Sequence, residues 1–234
     1  MPEVPGPRLS GTTRRHKGCP WRGGAVNERQ RHEGTAAPSR VARKRAERVA
    51  RVERVAARVF AERGYEGANL DEIAARLDLR GPSLYHYFSS KEELYLRCVR
   101  SCADEVVARL EAVAAAEPDP TERLRLLLRE QVLVELRDYP DFLPLFVSIP
   151  VPAADLRARL RELRREHEEV FHRAAEQVRA ARGLDRATTS LALRVAFGAL
   201  AHLPDWYDAA GPLTVEELAD RMAAMLIGPF LADG

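Results

Sequence analysis

Between residues 41 and 94 the apolar residues keep a helical period but are cut into short pieces, and that punctuation narrows what the chain can fold into. Val52, Val55, Ala56, Val59 and Phe60 stand at i, i+3, i+4, i+7 and i+8, which places them on one face of an amphipathic helix. Arg43, Lys44, Arg45, Arg48 and Arg51 take the other faces. Gly64 is positioned to end this helix as a C-terminal cap. Asn69 then precedes a second stripe of Leu70, Ile73, Ala74 and Leu77. With Glu72 it reads as a variant capping box, the Asn oxygen taking an orphan amide and the Glu reaching back. Asp78-Leu79-Arg80 makes a short turn, and GPSLYHYF (81–88) follows as a third short helix with Pro82 in its first turn. Ser90 caps a fourth helix that opens Lys91-Glu92-Glu93-Leu94.

A helix as short as the third is not stable by itself. Leu79, Leu84 and Phe88 must therefore anchor it on Val59, Phe60, Ile73 and Leu77. Its outer side is left with hydroxyls, an imidazole and the small ring of Pro82, groups suited to phosphate oxygens and thymine methyls in a major groove. One long helix followed by two short ones across a three- or four-residue turn has the proportions of a helix-turn-helix. Lys91 sits against the dipole of the helix it begins, a placement that makes sense if its ammonium meets a phosphate.

Further helices are expected near 91–116, 121–138, 153–183, 186–203 and 215–227, broken at prolines and glycines, with Thr214-x-x-Glu217 as a full capping box for the last. No stretch of strand length alternates, so the fold class is all-α: a three-helix head over residues 40–90 and a helical body over 91–234. Residues 1–39, rich in Gly, Pro, Arg and Ser, read as a disordered basic arm. Charge follows the same division. Residues 1–100 hold 21 Lys+Arg against 12 Asp+Glu, and the remaining residues hold 16 against 23, so a polyanion suits the front only. No apolar run is long enough to span a membrane, no signal-peptide core opens the chain, and Cys19, Cys98 and Cys102 lack the density of a disulfide scaffold. A cytoplasmic protein is expected.

The stretch FAERGYEGANLDEIAARLDLRGPSLYHYFSSKEEL, within Val52 to Leu94, resembles the TetR family of bacterial repressors. That resemblance implies a homodimer whose two heads read a palindromic double-stranded DNA operator and release it when a small hydrophobic effector enters the body. It places Ser83, Tyr85, His86, Tyr87 and Lys91 where family members touch phosphates or bases, and Pro82 where some make an apolar base contact. Three departures matter. Asp78 replaces the usual turn glycine, which Asp tolerates because it can visit the left-handed region. Asp71 stands where some relatives carry a base-reading Arg, and Gly81 has no side chain where others place a reader. Base readout then leans on Arg80, Ser83 and His86, with the basic segment Arg40–Arg45, Arg43 and Arg45 within it, entering a minor groove. Asn69 completes the expected DNA-facing set.

In the body, Asp205-Trp206-Tyr207 followed by Gly211-Pro212-Leu213-Thr214 looks like a segment of family members that sense acyl-CoA thioesters. Bulky candidates for an effector pocket are Phe142, Leu145, Phe146, Ile149, Phe171 and Trp206, with His167 or His172 as polar anchor. A dimer seam through the last two helices would use Leu193, Ala196, Phe197, Leu200 and Ala201 with Leu218, Met222, Met225 and Leu226; a buried intrachain pair would look the same. Cys98 and Cys102, at i and i+4, suit a thiol or metal sensor less well than simple packing. No catalytic constellation, metal set or cofactor motif stands out, so an enzyme is not expected. The competing possibilities are a helical metabolite-binding protein or enzyme with a vestigial head, and an architectural DNA-binding protein without an effector.

Overall fold

The computed structural model describes residues 39–141, 145–146, 151 and 153–231. The arm expected over 1–39 falls almost wholly outside that range, as do Phe142 and Ile149 of the expected pocket. The described residues form helices without strands: α1 (Arg40–Gly67), α2 (Leu70–Ala75), α3 (Gly81–Leu84), α4 (Lys91–Ala116), α5 (Pro120–Leu133), a π-helical turn (Val134–Asp138), α6 (Ala154–Arg182), α7 (Arg186–Ala201), α8 (Leu203–Trp206) and α9 (Val215–Leu231).

The caps explain most of the boundaries. Gly64 has φ 72°, so the chain breaks there as expected, but one further helical turn follows before Ala68. Asn69 accepts from the Asp71 amide at 2.9 Å, whereas the Glu72 carboxylate turns to Arg76 at 2.7 Å instead of closing a box. Asp78 adopts φ 56°, the left-handed conformation its short polar side chain can accept. The third helix is shorter than the sequence suggests. It ends at Leu84 and continues as turns, with the Tyr87 and Phe88 amides both donating to the Leu84 carbonyl at 2.9 and 3.0 Å. Ser90 Oγ accepts from the Glu93 amide at α4 while the Glu93 carboxylate accepts from the amide and hydroxyl of Ser89, and Thr214 and Glu217 form a reciprocal cap at α9. The last helix runs four residues past Ile227, through exposed Pro229, because fully buried Phe230 ties down its final turn.

The head packs around Val52, Ala56, Val59, Phe60, Ile73, Leu84 and Phe88, all buried. Burying each of these larger side chains contributes roughly 1.5–3 kcal/mol, enough to hold pieces too short to be helical alone. In the body α5 lies against α9 and α6, and α4 against α6. Leu193, Ala196 and Leu200 of α7 and Leu218 and Met222 of α9 are buried within the single chain. The seam face assigned from sequence is therefore largely core. The exposed large apolar residues of these helices are Leu191, Val195, Leu231 and Met225, the last of them a member of the expected seam.

Candidate nucleic-acid interface and effector cluster

The end of the head presents α3 and the turns after it. Leu84 and Phe88 point inward, which leaves Arg80, Pro82, Tyr85 and His86 exposed and Ser83 and Tyr87 half-buried. Tyr85 is 59% exposed, unusual for an aromatic side chain in a small head. Tyr87 is held on one side by Arg48, whose Nη1 donates to its hydroxyl at 3.5 Å. Asn69 is exposed, its side-chain oxygen already engaged as the α2 cap. Arg43 and Arg45 lie exposed on the first turns of α1, Arg43 facing Glu47 at 4.0 Å.

Lys91 is more committed than the sequence implied. Its Nζ donates to the carbonyls of Glu66 and Ala68 at 3.3 and 3.2 Å and lies 4.7 Å from the centre of the Tyr65 ring. An ammonium has three N–H groups, and two of them tie α4 to the α1–α2 connection. The same α4 terminus grips the rest of the head. Arg97 pairs with Glu53 at 2.9 Å and lies over the Phe88 ring, while the Cys98 thiol donates to the Glu53 carbonyl at 3.3 Å. Burial pushes the Glu53 carboxyl above its ordinary value, and Arg97 pulls it back. Burial also drives the Cys98 thiol well up, which makes it an inert packing residue and not a reactive thiolate. Among the described residues no group of His, Cys, Asp or Glu could hold a metal ion.

The expected effector residues divide. Phe146, His167 and Phe171 come together in the body, with ring centres 5.5 Å apart from Phe146 to His167 and from His167 to Phe171, and Phe197 joins at 5.4 Å from Phe171. Trp206 does not join them. It is 54% exposed on α8, while neighbouring Tyr207 donates to the Leu213 carbonyl and so braces the loop. His172 is exposed.

A polar chain missed from the sequence runs from this cluster into α5. Nε2 of His167 meets Gln131 Oε1 at 2.9 Å, and Gln131 Nε2 donates to Glu135 Oε1 at 2.8 Å. The amide oxygen can only accept, so Nε2 of His167 carries the proton. Burial holds His167 down at about 4 and pushes Glu135 up to about 8, so both are mainly neutral near pH 7. Glu135 Oε2 has no hydrogen-bond partner and lies in the π-helical turn, a local distortion often found at functional sites. The signal was present in the sequence, because Leu124, Leu128, Gln131 and Glu135 recur at helical spacing on what proves to be the buried side. Also unforeseen is Tyr95, whose buried hydroxyl donates to the Leu145 carbonyl at 2.8 Å while its ring packs edge-on against Phe60 and Tyr65.

Comparison with known proteins agrees with both halves. Residues 54–98 match the family model for bacterial regulatory proteins of the tetR family, and residues 117–229 match that for a tetracyclin repressor-like C-terminal domain. A crystal structure of a TetR/AcrR-family transcriptional regulator from Thermobifida fusca is 30% identical, with a TM-score of 0.62 over 78% of this chain and 97% of that one. AibR, solved in complex with isovaleryl coenzyme A and operator DNA, is 26% identical with a TM-score of 0.69 over 78% and 99% of the two chains. The repressor KstR2 of Mycobacterium tuberculosis is 26% identical over 77% of this chain and 91% of its own. A shorter match, 41% identical over 70 residues, is to the activator FasR of Mycolicibacterium smegmatis and spans only 30% of this chain and 32% of that protein.

Proposed function

This chain belongs to the TetR family of bacterial regulatory proteins, and on that premise we propose that it is a cytoplasmic, dimeric transcriptional repressor that leaves its operator when an acyl-CoA or related apolar metabolite occupies the body. It acts by binding and not by catalysis. The observation that carries the reading is the exposed surface of α3 and its following turns, where Tyr85, His86, Pro82 and Arg80 project from a scaffold fixed by buried Leu84 and Phe88. A head over 40–90 would set this surface in a major groove, with Ser83 and His86 reading base edges and Tyr85 and Tyr87 meeting phosphates. Asn69 would add a polar contact at the start of α2. Arg43 and Arg45, on the exposed first turns of α1, suit a minor groove. Lys91 would give its third N–H to a phosphate, so it positions the head and touches DNA at once.

The body over 91–234 supplies the other two properties. Exposed Leu191, Val195 and Gly198 on α7 and Met225 and Gly228 on α9 form helical stripes that a second copy would cover, and of these Met225 belongs to the set expected from sequence. For the effector, the cluster of Phe146, His167 and Phe171 offers an apolar wall with one polar chain behind it. Support for the ligand class comes from AibR, a 26% identical relative solved with isovaleryl coenzyme A and DNA.

The test is a gel shift on the DNA upstream of the protein's own gene, at two salt concentrations, with and without isovaleryl-CoA. Specific binding that weakens steeply with salt and is reversed by the thioester is expected. Equal affinity for random DNA would sink the operator reading. His86→Ala should change the sequence preference, whereas Tyr85→Phe should weaken all sites alike.

A further inference from the structure

Arginine side chains in the middle of α6 line an open cavity of about 250 Å³, formed by Arg161, Arg164, Arg165 and Glu168. These residues fall at i, i+3, i+4 and i+7, so a single helix face supplies three guanidiniums against one carboxylate. Their states are unequal. Arg161 is exposed and has no ion-pair partner among the described residues. Arg165 reaches only Glu162, in a pair that is solvent-exposed on both sides and therefore weak. Arg164 donates Nη2 to the Phe146 carbonyl at 2.7 Å and its guanidinium lies 6.0 Å from the Phe146 ring centre, yet its Nε is buried with no hydrogen-bond partner. A buried unmade donor on a cation costs free energy that an anion would recover.

A second basic cavity shows what a purely structural arrangement looks like. Arg123 and Arg173 line it, but there Arg173 pairs with Glu111, and Arg123 is spent on Gln177 and the carbonyls of Glu117 and Pro118. The α6 cavity keeps donors in hand. It also adjoins the effector cluster, since Arg164 stacks on Phe146 and the Phe146 ring faces His167.

We propose that Arg161, Arg164 and Arg165 form an anion subsite that holds the phosphorylated head of an amphiphilic effector, whose apolar part runs past Phe146 toward His167 and Phe171. Planar guanidiniums match phosphoryl oxygens in a bidentate fashion, so a diphosphate fits this set better than a lone carboxylate does. The subsite rests on the effector reading above for the apolar part of the ligand, but not for the anion. Glu168 sits within the cavity as a repulsive group and moderates the affinity.

The experiment is calorimetric titration of the full-length protein with isovaleryl-CoA, inorganic pyrophosphate and isovalerate. Arg161→Ala/Arg165→Ala changes two exposed side chains and leaves the fold intact by circular dichroism; it should weaken isovaleryl-CoA and pyrophosphate by about tenfold or more, the value of a charge-assisted hydrogen bond, and leave isovalerate unchanged. Glu168→Gln should tighten both phosphorylated probes. If isovaleryl-CoA binds the double variant and wild type alike, the subsite is wrong while the effector reading stands. Should pyrophosphate bind in an arginine-dependent way while isovaleryl-CoA does not bind, the subsite stands and the acyl-CoA reading falls. Binding of neither probe to wild type overturns both.

Discussion

The buried pair at the two ends of the Gln131 chain should give the protein an unusual stability profile, and Glu135→Gln isolates its source. In the folded chain burial moves Glu135 from an ordinary 4.5 to about 8 and His167 from 6.5 to about 4. Between pH 4.5 and 8 the folded state therefore holds more protons at Glu135 than the unfolded chain, and stability falls as pH rises. Between pH 4 and 6.5 the unfolded chain holds more at His167, and stability rises with pH. The opposed slopes, each about 1.4 kcal/mol per pH unit, cancel where the windows overlap. Above pH 6.5 only the carboxyl acts, so wild type should lose on the order of 2 kcal/mol by pH 8. The glutamine variant keeps an acceptor for Gln131 Nε2 at 2.8 Å but cannot ionise. It should lose stability as pH falls from 6.5 toward 4, where wild type is nearly flat, and be flat on the alkaline side. Urea denaturation at a series of pH values, at one protein concentration because a dimer's midpoint moves with concentration, reads this directly. Parallel curves for variant and wild type above pH 6.5 would refute the assignment of the alkaline limb to Glu135.

Two further perturbations probe packing and assembly. Tyr95→Phe removes the buried hydrogen bond to the Leu145 carbonyl but keeps the ring between Phe60 and Tyr65, so it should cost about 1–2 kcal/mol of stability. It should also shrink the change in operator affinity caused by isovaleryl-CoA, as measured by fluorescence anisotropy; an unchanged response would remove Tyr95 from the coupling route. Val195→Glu places a charge in the exposed α7 stripe and should leave a folded monomer by analytical ultracentrifugation, with DNA affinity reduced by orders of magnitude as one half-site is lost. A Val195→Glu protein that sediments as wild type would move the interface elsewhere.

The head was legible because its rules are local. The stripe of Val52, Val59 and Phe60, the Asn69 cap and the left-handed Asp78 each follow from neighbours within a few residues, and each is where the spacing put it. The role of Lys91 was only half legible, since the Glu66 and Ala68 carbonyls that hold it lie more than twenty residues away. Part of the seam was misassigned for a different reason. Leu193 and Leu200 share an apolar face just as interface residues would, and only the packing of α5, α7 and α9 shows that the chain itself covers them. The Arg164 cavity was illegible, because a basic helical face reads as solvated until one of its nitrogens is found buried without a partner.

A ligand can shift an equilibrium only by its unequal affinity for the two states, so a physical route from body to head must contain a contact that the ligand changes. Leu145 and Phe146 are placed to be that contact. The Leu145 carbonyl is held from the head side by Tyr95 of α4, and the Phe146 carbonyl is held from the body side by Arg164 of α6. An anion that draws the Arg164 guanidinium toward Arg161 and Arg165 competes with its bond to Phe146, and the segment is then tethered through Tyr95 alone. Two residues beyond Tyr95 on the same helix, Arg97 grips Glu53 of α1 and lies over Phe88 at the end of the DNA-facing turn. A helix is too stiff to absorb a shift at Tyr95 within half a turn, so the displacement reaches Arg97 and with it the tilt of the surface that carries Tyr85 and His86. On this account Arg164→Lys, which keeps the charge but loses the planar fork, should bind the phosphorylated head more weakly and release DNA less completely at saturation. A weaker affinity with full release at saturation would mean that Arg164 binds the effector without transmitting its arrival.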